Sequence, residues 1–372
     1  MKFIDLERQF HNISFEVNSA IEKVLHAGDF INGAAVGELE DKLSNYVGVK
    51  HCIAVANGTD ALEISQKAIG IAKNDEILIP SFTWVSTAET IAYLGAKPIF
   101  CDVDHDTFTI DIDDCQKKIT KKTKAIVAVS IFGQCANLFE LKAFCSKNNL
   151  VLIEDAAQSF GATLSDPKDN SIHKSCSVAD ISTTSFFPSK PLGCYGDGGA
   201  IFTNDDSLAS YMRLLARHGQ KSKDEFVVVG RNSRLDTIQA AILLEKFKIF
   251  PEELIMRKKC ADLYEKYLLE KNLVKPPFIK PGNFSAYAQF TIIVDSKKRN
   301  GLKEHLTKVS IPCATYYANP LYNQEIYRNG SQPKLQVTDE LADSTISIPI
   351  HPYLKQEEIK LISFEINNYL SK

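Results

Sequence analysis

The sequence contains no apolar run long enough to span a membrane. Its least polar stretch, residues 125–139, includes Ser130, Gln134 and Asn137 and is shorter than the roughly 20 residues that a membrane-spanning helix needs. The N-terminal segment is charged early and lacks the apolar core and small-residue cleavage site of a secretory signal. We therefore expect a cytoplasmic protein without a membrane partner.

Cysteine pairs and histidine motifs are missing as well. The nine cysteines lie scattered between Cys52 and Cys313 without a CxxC pair, and the eight histidines form no HExxH motif. This pattern is typical of reduced thiols in the cytosol rather than of a disulfide framework or a zinc site. No metal centre is expected.

The chain also has little net charge. Its 43 basic and 46 acidic residues leave a formal charge of -3 and are spread along the sequence. Binding to a nucleic-acid backbone needs a basic stripe, so no nucleic-acid partner is expected. The composition, with 44% hydrophobic and 24% charged residues, is typical of a globular protein. The length of 372 residues is typical of an enzyme with one large and one smaller domain.

Short β-rich runs alternate with helical stretches between about residues 49 and 204. The runs are continuously apolar, which is typical of a wound α/β sheet whose strands are covered by helices on both faces. The predicted strands are 51–56, 76–79, 97–101, 125–131, 151–154, 183–187 and 200–203.

The pattern becomes helical after residue 204. Helices are predicted at 207–217 and 237–250, and Pro251 is expected to open a further helix over 252–273. A strand at 289–294 and a helix near Leu302 follow. We expect a large domain over residues 1–249 and a smaller domain over residues 250–372.

Residues 56–62 read Ala-Asn-Gly-Thr-Asp-Ala-Leu and pass from a predicted strand into a helix. The free N–H groups of a helix N-terminus favour an anion, Gly58 permits close approach, and Thr59 supplies a hydroxyl. The segment therefore predicts a phosphate site. The alternative is an ordinary helix N-cap formed by Asn57 or Thr59.

Two acids end the buried run at 151–155. A carboxylate at a strand end needs a cation, and Asp155 is the candidate partner of a pyridinium nitrogen, whose proton lets the ring accept electrons. The alternative makes Asp155 a helix N-cap and leaves Glu154 in solvent.

Lys190 follows a predicted strand and is flanked by Pro188 and Pro191. A rigid, partly desolvated amine has a lowered pKa and is the nucleophile that a Schiff base with an aldehyde requires. The alternative is a solvated surface lysine.

Trp84, the only tryptophan, either stacks on a flat cofactor or fills the core. The glycine-rich segment 196–199 precedes a strand and is interpreted as a tight turn.

Taken together and in this order, these segments resemble the DegT-type nucleotide-sugar aminotransferases, a branch of the fold-type-I pyridoxal-phosphate enzymes. The resemblance runs nearly end to end and implies a mostly parallel mixed sheet between helices, followed by a smaller α+β C-terminal domain. Further matching pieces are Phe82-Thr83-Trp84, Gly133-Gln134, Gly161-Ala162, residues 196–199, residues 230–234 and residues 348–352.

The resemblance implies roles for residues around pyridoxal 5'-phosphate. Lys190 and Asp155 are the expected catalytic residues: Lys190 binds the cofactor and moves the proton, and Asp155 contacts the ring nitrogen. Gln158 is expected beside the phenolic oxygen and Trp84 over the ring. The residues expected to surround the phosphate are Gly58, Thr59, Asp60, Ser185 and Asn232.

The same resemblance implies a homodimer with shared active sites. Asn232 and Arg234 are expected to reach the neighbouring subunit's site, where Arg234 faces substrate together with Tyr316 and Tyr317. The relatives that dehydrate sugars carry histidine in place of the lysine, so Lys190 favours amino transfer. A cofactor-binding regulator without turnover is the alternative from another class.

The motifs are most similar to those of enzymes that make 3-amino derivatives of UDP-N-acetylglucosaminuronate. The implied reaction moves an amino group from glutamate, leaving 2-oxoglutarate, to the 3-keto form of that sugar, UDP-2-acetamido-2-deoxy-3-oxo-glucuronate. The product is expected to enter lipopolysaccharide, O-antigen or other bacterial surface polysaccharide. UDP-3-keto-N-acetylglucosamine and a dTDP-keto-deoxyhexose are the alternative acceptors. Two departures stand out: Tyr316 and Tyr322 replace histidines in a loop expected to face substrate, and residues 165–180 form a longer stretch.

Overall fold

The described residues of the computed structural model, 1–328 and 334–372, form eleven α-helices and thirteen β-strands. The helices are α1 (Leu6–Ala27), α2 (Ala34–Val47), α3 (Gly58–Ala68), α4 (Ser86–Tyr93), α5 (Ile112–Lys118), α6 (Leu138–Asn148), α7 (Asp206–Ala216), α8 (Thr237–Leu268), α9 (Ser296–Lys308), α10 (Gln336–Ser344) and α11 (Gln356–Leu370). The strands are β1 (His51–Val55), β2 (Glu76–Pro80), β3 (Lys97–Cys101), β4 (Thr123–Val129), β5 (Val151–Asp155), β6 (Thr163–Ser165), β7 (Ile172–Lys174), β8 (Ile181–Ser185), β9 (Gly199–Thr203), β10 (Gln220–Ser222), β11 (Glu225–Phe226), β12 (Phe290–Ile293) and β13 (Thr345–Ile348). Within this part of the chain, no helix is both long and apolar enough to cross a membrane.

Seven strands form the central sheet in the order β1-β9-β8-β5-β4-β2-β3. Strand β9 runs antiparallel to β1 and β8, and the other neighbouring pairs are parallel. Ile77, Ile126 and Leu152 in its centre are fully buried, as expected when helices cover both faces. The predicted mostly parallel mixed sheet is confirmed; β4 and β8 each begin two residues before their predicted starts.

Helix α8 does not break at Pro251, so the prediction of two helices there is wrong. The helix runs continuously from Thr237 to Leu268 with Pro251 inside it. An interior proline costs about 3 kcal/mol, but Phe250 and Leu254 beside it are buried in the main hydrophobic core, which contributes about 1.5–3 kcal/mol for each side chain. The proposed boundary between residues 1–249 and 250–372 therefore falls inside a continuous helix.

The C-terminal part packs its own core around the second half of α8. Cys260, Tyr264 and Leu268 join residues of β12, β13, α9 and α11 in this core. Strands β12 and β13 pair antiparallel, which agrees with the expected α+β arrangement. Arg257, fully enclosed between the two cores, donates hydrogen bonds to the backbone oxygens of Tyr287 and Ile350.

Gly161 marks a tight contact between the loop after β5 and helix α8. Its φ is +97°, and a Cβ there would lie 2.7 Å from Cζ of Phe250. We expect Gly161→Ala to lower the free energy of unfolding by about 2–4 kcal/mol, because backbone strain adds to overpacking. Urea unfolding measures this change.

Gly37 is the matched control, since a Cβ at this position in α2 meets nothing within 4 Å. Alanine is the better helix former, so Gly37→Ala should raise the stability by up to about 1 kcal/mol. A Gly161→Ala protein as stable as the Gly37→Ala protein would contradict the proposed packing.

Candidate active site

A cavity of about 440 Å³ lies where the carboxyl ends of β1, β2, β4, β5 and β8 meet. This is the edge at which wound α/β sheets bind their ligands. The expected residues Gly58, Thr59, Trp84, Asp155, Gln158, Ser185, Lys190, Tyr316 and Tyr317 all line this cavity. A cleft of similar volume elsewhere, between residues 104–113 and 280–283, contains no buried amine beside a buried carboxylate.

Helix α3 begins at the cavity wall. The Asn57 side chain accepts a hydrogen bond of 2.8 Å from the Asp60 N–H, which makes Asn57 the N-cap. The N–H groups of Gly58 and Thr59 have no partner inside the helix, because the first turn of a helix offers no acceptors to them. The capping alternative and the anion site are therefore compatible, since the cap uses one N–H and leaves two.

Gly58 allows the end of β8 to approach this helix N-terminus. A Cβ on Gly58 would lie 2.9 Å from the Cβ of Ser185, closer than two such carbons approach one another. The Thr59 hydroxyl lies 2.9 Å from that of Ser86, at the start of α4. Hydroxyls and free N–H groups thus converge as a site for a phosphate requires.

Asp155 is buried at the end of β5 and faces the cavity. Its carboxylate accepts hydrogen bonds from the Ala157 N–H at 3.1 Å and the Thr87 hydroxyl at 3.2 Å. Burial raises the pKa of this carboxyl, and these bonds and the Lys190 charge oppose the rise. No helix follows Asp155, so the N-cap alternative is wrong. The buried acid is therefore a receptor for a cation.

Glu154, the neighbour of Asp155, is fully buried on the opposite face of β5. It accepts hydrogen bonds from the hydroxyls of Ser130, Ser175 and Ser182 and from the Cys176 N–H. The alternative that left Glu154 in solvent is wrong. Its hydrogen bonds connect β5 to β8 and to the segments directly after β4 and β7.

Lys190 lies in the loop after β8. Its backbone N–H donates to the Phe187 oxygen at 2.9 Å, closing a turn between Pro188 and Pro191. Burial lowers the pKa of the Lys190 amine, and the Asp155 charge opposes that change. The amine is therefore partly desolvated and in the same cavity as the carboxylate, rather than a solvated surface lysine.

Gln158 is fixed by bonds at both ends of its amide. Its oxygen accepts from the Phe132 N–H at 2.8 Å, and its nitrogen donates to the Tyr317 hydroxyl at 3.1 Å. Burial raises the pKa of Tyr317 above its usual range. Trp84 is 60% exposed and its ring lies 6.4 Å from that of Tyr317. The core-filling alternative for Trp84 is therefore wrong, and its ring is open to a ligand.

Three of the expected residues do not line this cavity. The Asp60 carboxylate lies 3.0 Å from the Arg231 guanidinium. Asn232 is exposed, and the buried Nε of Arg234 has no partner in the described part of the chain. In one subunit, the loop at 230–234 therefore does not reach its own cavity.

Of the two departures from the resembling enzymes, the tyrosine loop lies partly in the cavity and the longer stretch lies outside it. Tyr316 lines it, but Tyr322 is buried beside Leu321 and donates a hydrogen bond of 2.7 Å to Asp339. The expectation that Tyr322 faces substrate is therefore wrong. Residues 163–174 form the β6–β7 hairpin, which borders the other cleft.

Several residues of the site were not predicted. Thr87 is fully buried and its hydroxyl donates a hydrogen bond to the Asp155 carboxylate. Ser189, Asp197 and Gln289 line the cavity. Gln289 comes from the C-terminal part of the chain, and no local motif signals its position.

The cavity fits the group that the resemblance implies. A phosphate matches the N–H groups at Gly58 and Thr59, a protonated ring nitrogen matches Asp155, and an aldehyde matches the desolvated amine of Lys190. These three features stand in one cavity with an exposed aromatic ring. Pyridoxal phosphate carries all three complementary groups.

Comparison with known proteins gives matches over the whole chain. A UDP-2-acetamido-2-deoxy-3-oxo-D-glucuronate aminotransferase of Pseudomonas aeruginosa is 46% identical, with 99% of this chain and 100% of that protein covered. A pleiotropic regulatory protein of Geobacillus stearothermophilus is 36% identical, with 98% and 97% covered. The crystal structure of a DegT DnrJ EryC1 StrS aminotransferase from Brucella abortus matches with a TM-score of 0.94, 40% identity and 100% coverage of both chains.

The family model of the DegT/DnrJ/EryC1/StrS aminotransferases matches residues 11–366. This match includes every strand of the central sheet and every side chain named in the cavity. The chain therefore belongs to the DegT/DnrJ/EryC1/StrS aminotransferase family.

Proposed function

We propose that this protein transfers the amino group of glutamate to UDP-2-acetamido-2-deoxy-3-oxo-glucuronate. The observation that carries the proposal is one cavity that joins the Lys190 amine, the Asp155 carboxylate and the helix N-terminus at Gly58. The glucuronate specificity is supported by the 46% identity to the aminotransferase of that name. A cytoplasmic role in making bacterial surface polysaccharide is part of the proposal.

Pyridoxal 5'-phosphate, the cofactor of the family, supplies an electron sink for the carbanion next to the transferred nitrogen. Asp155 holds a proton at the ring nitrogen, and its burial makes that charge pair strong. Lys190 binds the cofactor in the resting enzyme and accepts and returns a proton at its Nζ. The lowered pKa of this amine suits it to both tasks.

The remaining cofactor contacts are assigned by position. The N–H groups at Gly58 and Thr59 and the Ser185 hydroxyl hold the phosphate, and Trp84 stacks on the ring. The Gln158 amide nitrogen gives one hydrogen to Tyr317 and has a second for the phenolic oxygen. Asp60 and Asn232, expected from the resemblance at the phosphate, are absent from the cavity lining of their own subunit.

We assign the missing part of each site to a second subunit. Asn232 is exposed and the Arg234 Nε is buried without a partner in the described residues. Both would be satisfied if the 230–234 loop completes the cavity of a neighbouring copy, with Asn232 at the phosphate and Arg234 at substrate. Tyr316 and Tyr317 form the substrate wall on the other side of that site.

A measurement of glutamate transamination distinguishes the proposed enzyme from a regulator that binds the cofactor without turnover. The alternative of another class is a non-catalytic cofactor-binding regulator; one relative at 36% identity is named as a regulatory protein, but the 46% identity to an aminotransferase supports the enzyme. That alternative predicts cofactor binding without transamination. UDP-3-keto-N-acetylglucosamine and a dTDP-keto-deoxyhexose remain the alternative acceptors.

Lys190 and Asp155 give separable defects. We expect Lys190→Ala to lower kcat by on the order of 10²–10⁴-fold, because the group that moves the proton is lost. Asp155→Asn should lower kcat by about 10- to 100-fold, because a charged hydrogen bond is lost. Both variants should retain the cofactor, measured by equilibrium dialysis, and the exposed Lys147→Ala serves as the control. Turnover of Lys190→Ala at the control rate would refute the assignment.

Mixed dimers test the shared site. Lys190→Ala and Arg234→Ala chains are each expected to be inactive, but a heterodimer contains one site with both residues intact. Random mixing of equal amounts should therefore restore about a quarter of the wild-type activity. Heterodimers that are confirmed by mass but remain inactive would show that each site is complete within one chain.

Arg234 is also the proposed reader of the sugar carboxylate. Arg234→Met should lower kcat/KM more for the glucuronate than for the matched 6-hydroxy sugar. The difference in activation free energy should be about 1–3 kcal/mol. The reaction is run from the 3-amino product with 2-oxoglutarate, and glutamate formation is measured. Equal losses on both sugars would remove Arg234 from this role, and faster wild-type turnover of the 6-hydroxy or 6-deoxy sugar would refute the glucuronate assignment.

A further inference from the structure

The loop at residues 230–234 is fastened to the phosphate-binding end of α3 in its own subunit. The Arg231 guanidinium lies 3.0 Å from the Asp60 carboxylate and also contacts Glu63, both on α3. The Ser233 hydroxyl accepts from the Ala56 N–H at 3.2 Å, just before the helix. The position of this loop therefore depends on side chains at the first turns of α3.

Both hydrogen-bonding groups of Asp60 are already engaged. Its N–H donates to Asn57 and its carboxylate pairs with Arg231. Asp60 is 8% exposed and the Arg231 side chain is 37% exposed, so this ion pair is partly buried and partly screened by water. A carboxylate would also repel a phosphate at the same helix end. These contacts give Asp60 a purpose other than binding the cofactor.

We propose that Asp60 is a positioning residue for the 230–234 loop, acting through Arg231. The inference rests on the proposed shared site, because the loop delivers Asn232 and Arg234 to the neighbouring subunit. Helix α3 then serves two sites: its N–H groups hold the phosphate in one cavity, and its acidic side chains set the loop that completes the other. Loss of Asp60 therefore damages the partner's site.

The single variants distinguish this role from a contact with the phosphate. Asp60→Asn should raise KM for the nucleotide sugar about tenfold, equivalent to 1.4 kcal/mol, and should raise the Kd of pyridoxal phosphate no more than Arg231→Met does, because displacing the loop also moves Asn232. Glu63→Gln removes the other carboxylate charge beside the Arg231 guanidinium, farther along α3. It should raise the KM for the nucleotide sugar by a smaller factor. A rise in cofactor Kd for Asp60→Asn but not for Arg231→Met would instead place Asp60 at the phosphate and overturn the proposal.

The double variant tests whether Asp60 acts through Arg231. Arg231→Met should reproduce the KM defect, and Asp60→Asn combined with Arg231→Met should be no worse than Arg231→Met alone. Defects that multiply would show that the two residues act independently.

Heterodimers locate the defect in one subunit or the other. In a dimer of an Asp60→Asn chain and a Lys190→Ala chain, the only site with Lys190 receives its 230–234 loop from the chain with intact Asp60. If Asp60 acts on its own loop, this heterodimer shows the wild-type KM. If Asp60 acts in its own cavity, the raised KM persists and the proposal fails.

The heterodimer of Arg234→Ala with Lys190→Ala is the control for sharing itself. If it restores activity while the Asp60→Asn heterodimer keeps its raised KM, the shared site stands and only the role of Asp60 is wrong. If it restores nothing, the loop does not cross between subunits, and both the shared site and this role of Asp60 are refuted. Unchanged amino transfer by the wild type in either case leaves the enzyme assignment intact.

Discussion

The site depends on the buried carboxylate of Asp155, which the charge of Lys190 in the same cavity compensates only in part. In the described chain Asp155 forms no ion pair, and its two hydrogen-bond donors are the neutral Thr87 hydroxyl and Ala157 N–H. Burying a charge in this way is unfavourable until a positive partner arrives. The cavity thus selects a ligand that carries a proton opposite Asp155, and the amine of Lys190 and the helix N-terminus at Gly58 define what the rest of that ligand must be.

Glu154 and Asp155 show why residue type alone does not assign a role. The two carboxylates are adjacent on β5 and point to opposite faces, because side chains alternate along a strand. Burial raises the pKa of both. Glu154 receives four hydrogen bonds from β8 and from the segments that follow β4 and β7, so its charge is compensated inside the protein. Asp155 has only two and opens to the cavity, so what the Lys190 charge leaves uncompensated must be met by a ligand.

The strands and the cofactor side of the site could be predicted from sequence because they are local. Each predicted strand is a short β-rich run, and Asp155, Gly58 and Lys190 each lie within three residues after the predicted end of one. What could not be predicted depends on distant contacts. The bond between Gln158 and Tyr317 joins positions 159 residues apart, and the burial of Phe250 and Leu254 that carries α8 through Pro251 follows from the assembled core. Tyr322 belongs to a loop that was expected to face substrate, but the short helical turn that begins at Leu321 directs it into the core.

The two sides of the cavity are built in different ways, and this separates the reaction from its specificity. The cofactor side consists of strand ends held by the central sheet, so a displacement there disturbs the core. The proposed substrate side consists of the loops at 230–234 and 316–317, of which the first is held by the ion pairs of Arg231 with Asp60 and Glu63 and by backbone hydrogen bonds. Loops tolerate change at a smaller cost in stability than buried strands. A scaffold of this kind can therefore exchange one sugar for another while Lys190 and Asp155 stay in place, and under the proposed function the identity of the sugar is set by Arg234, Tyr316 and the contacts that position them.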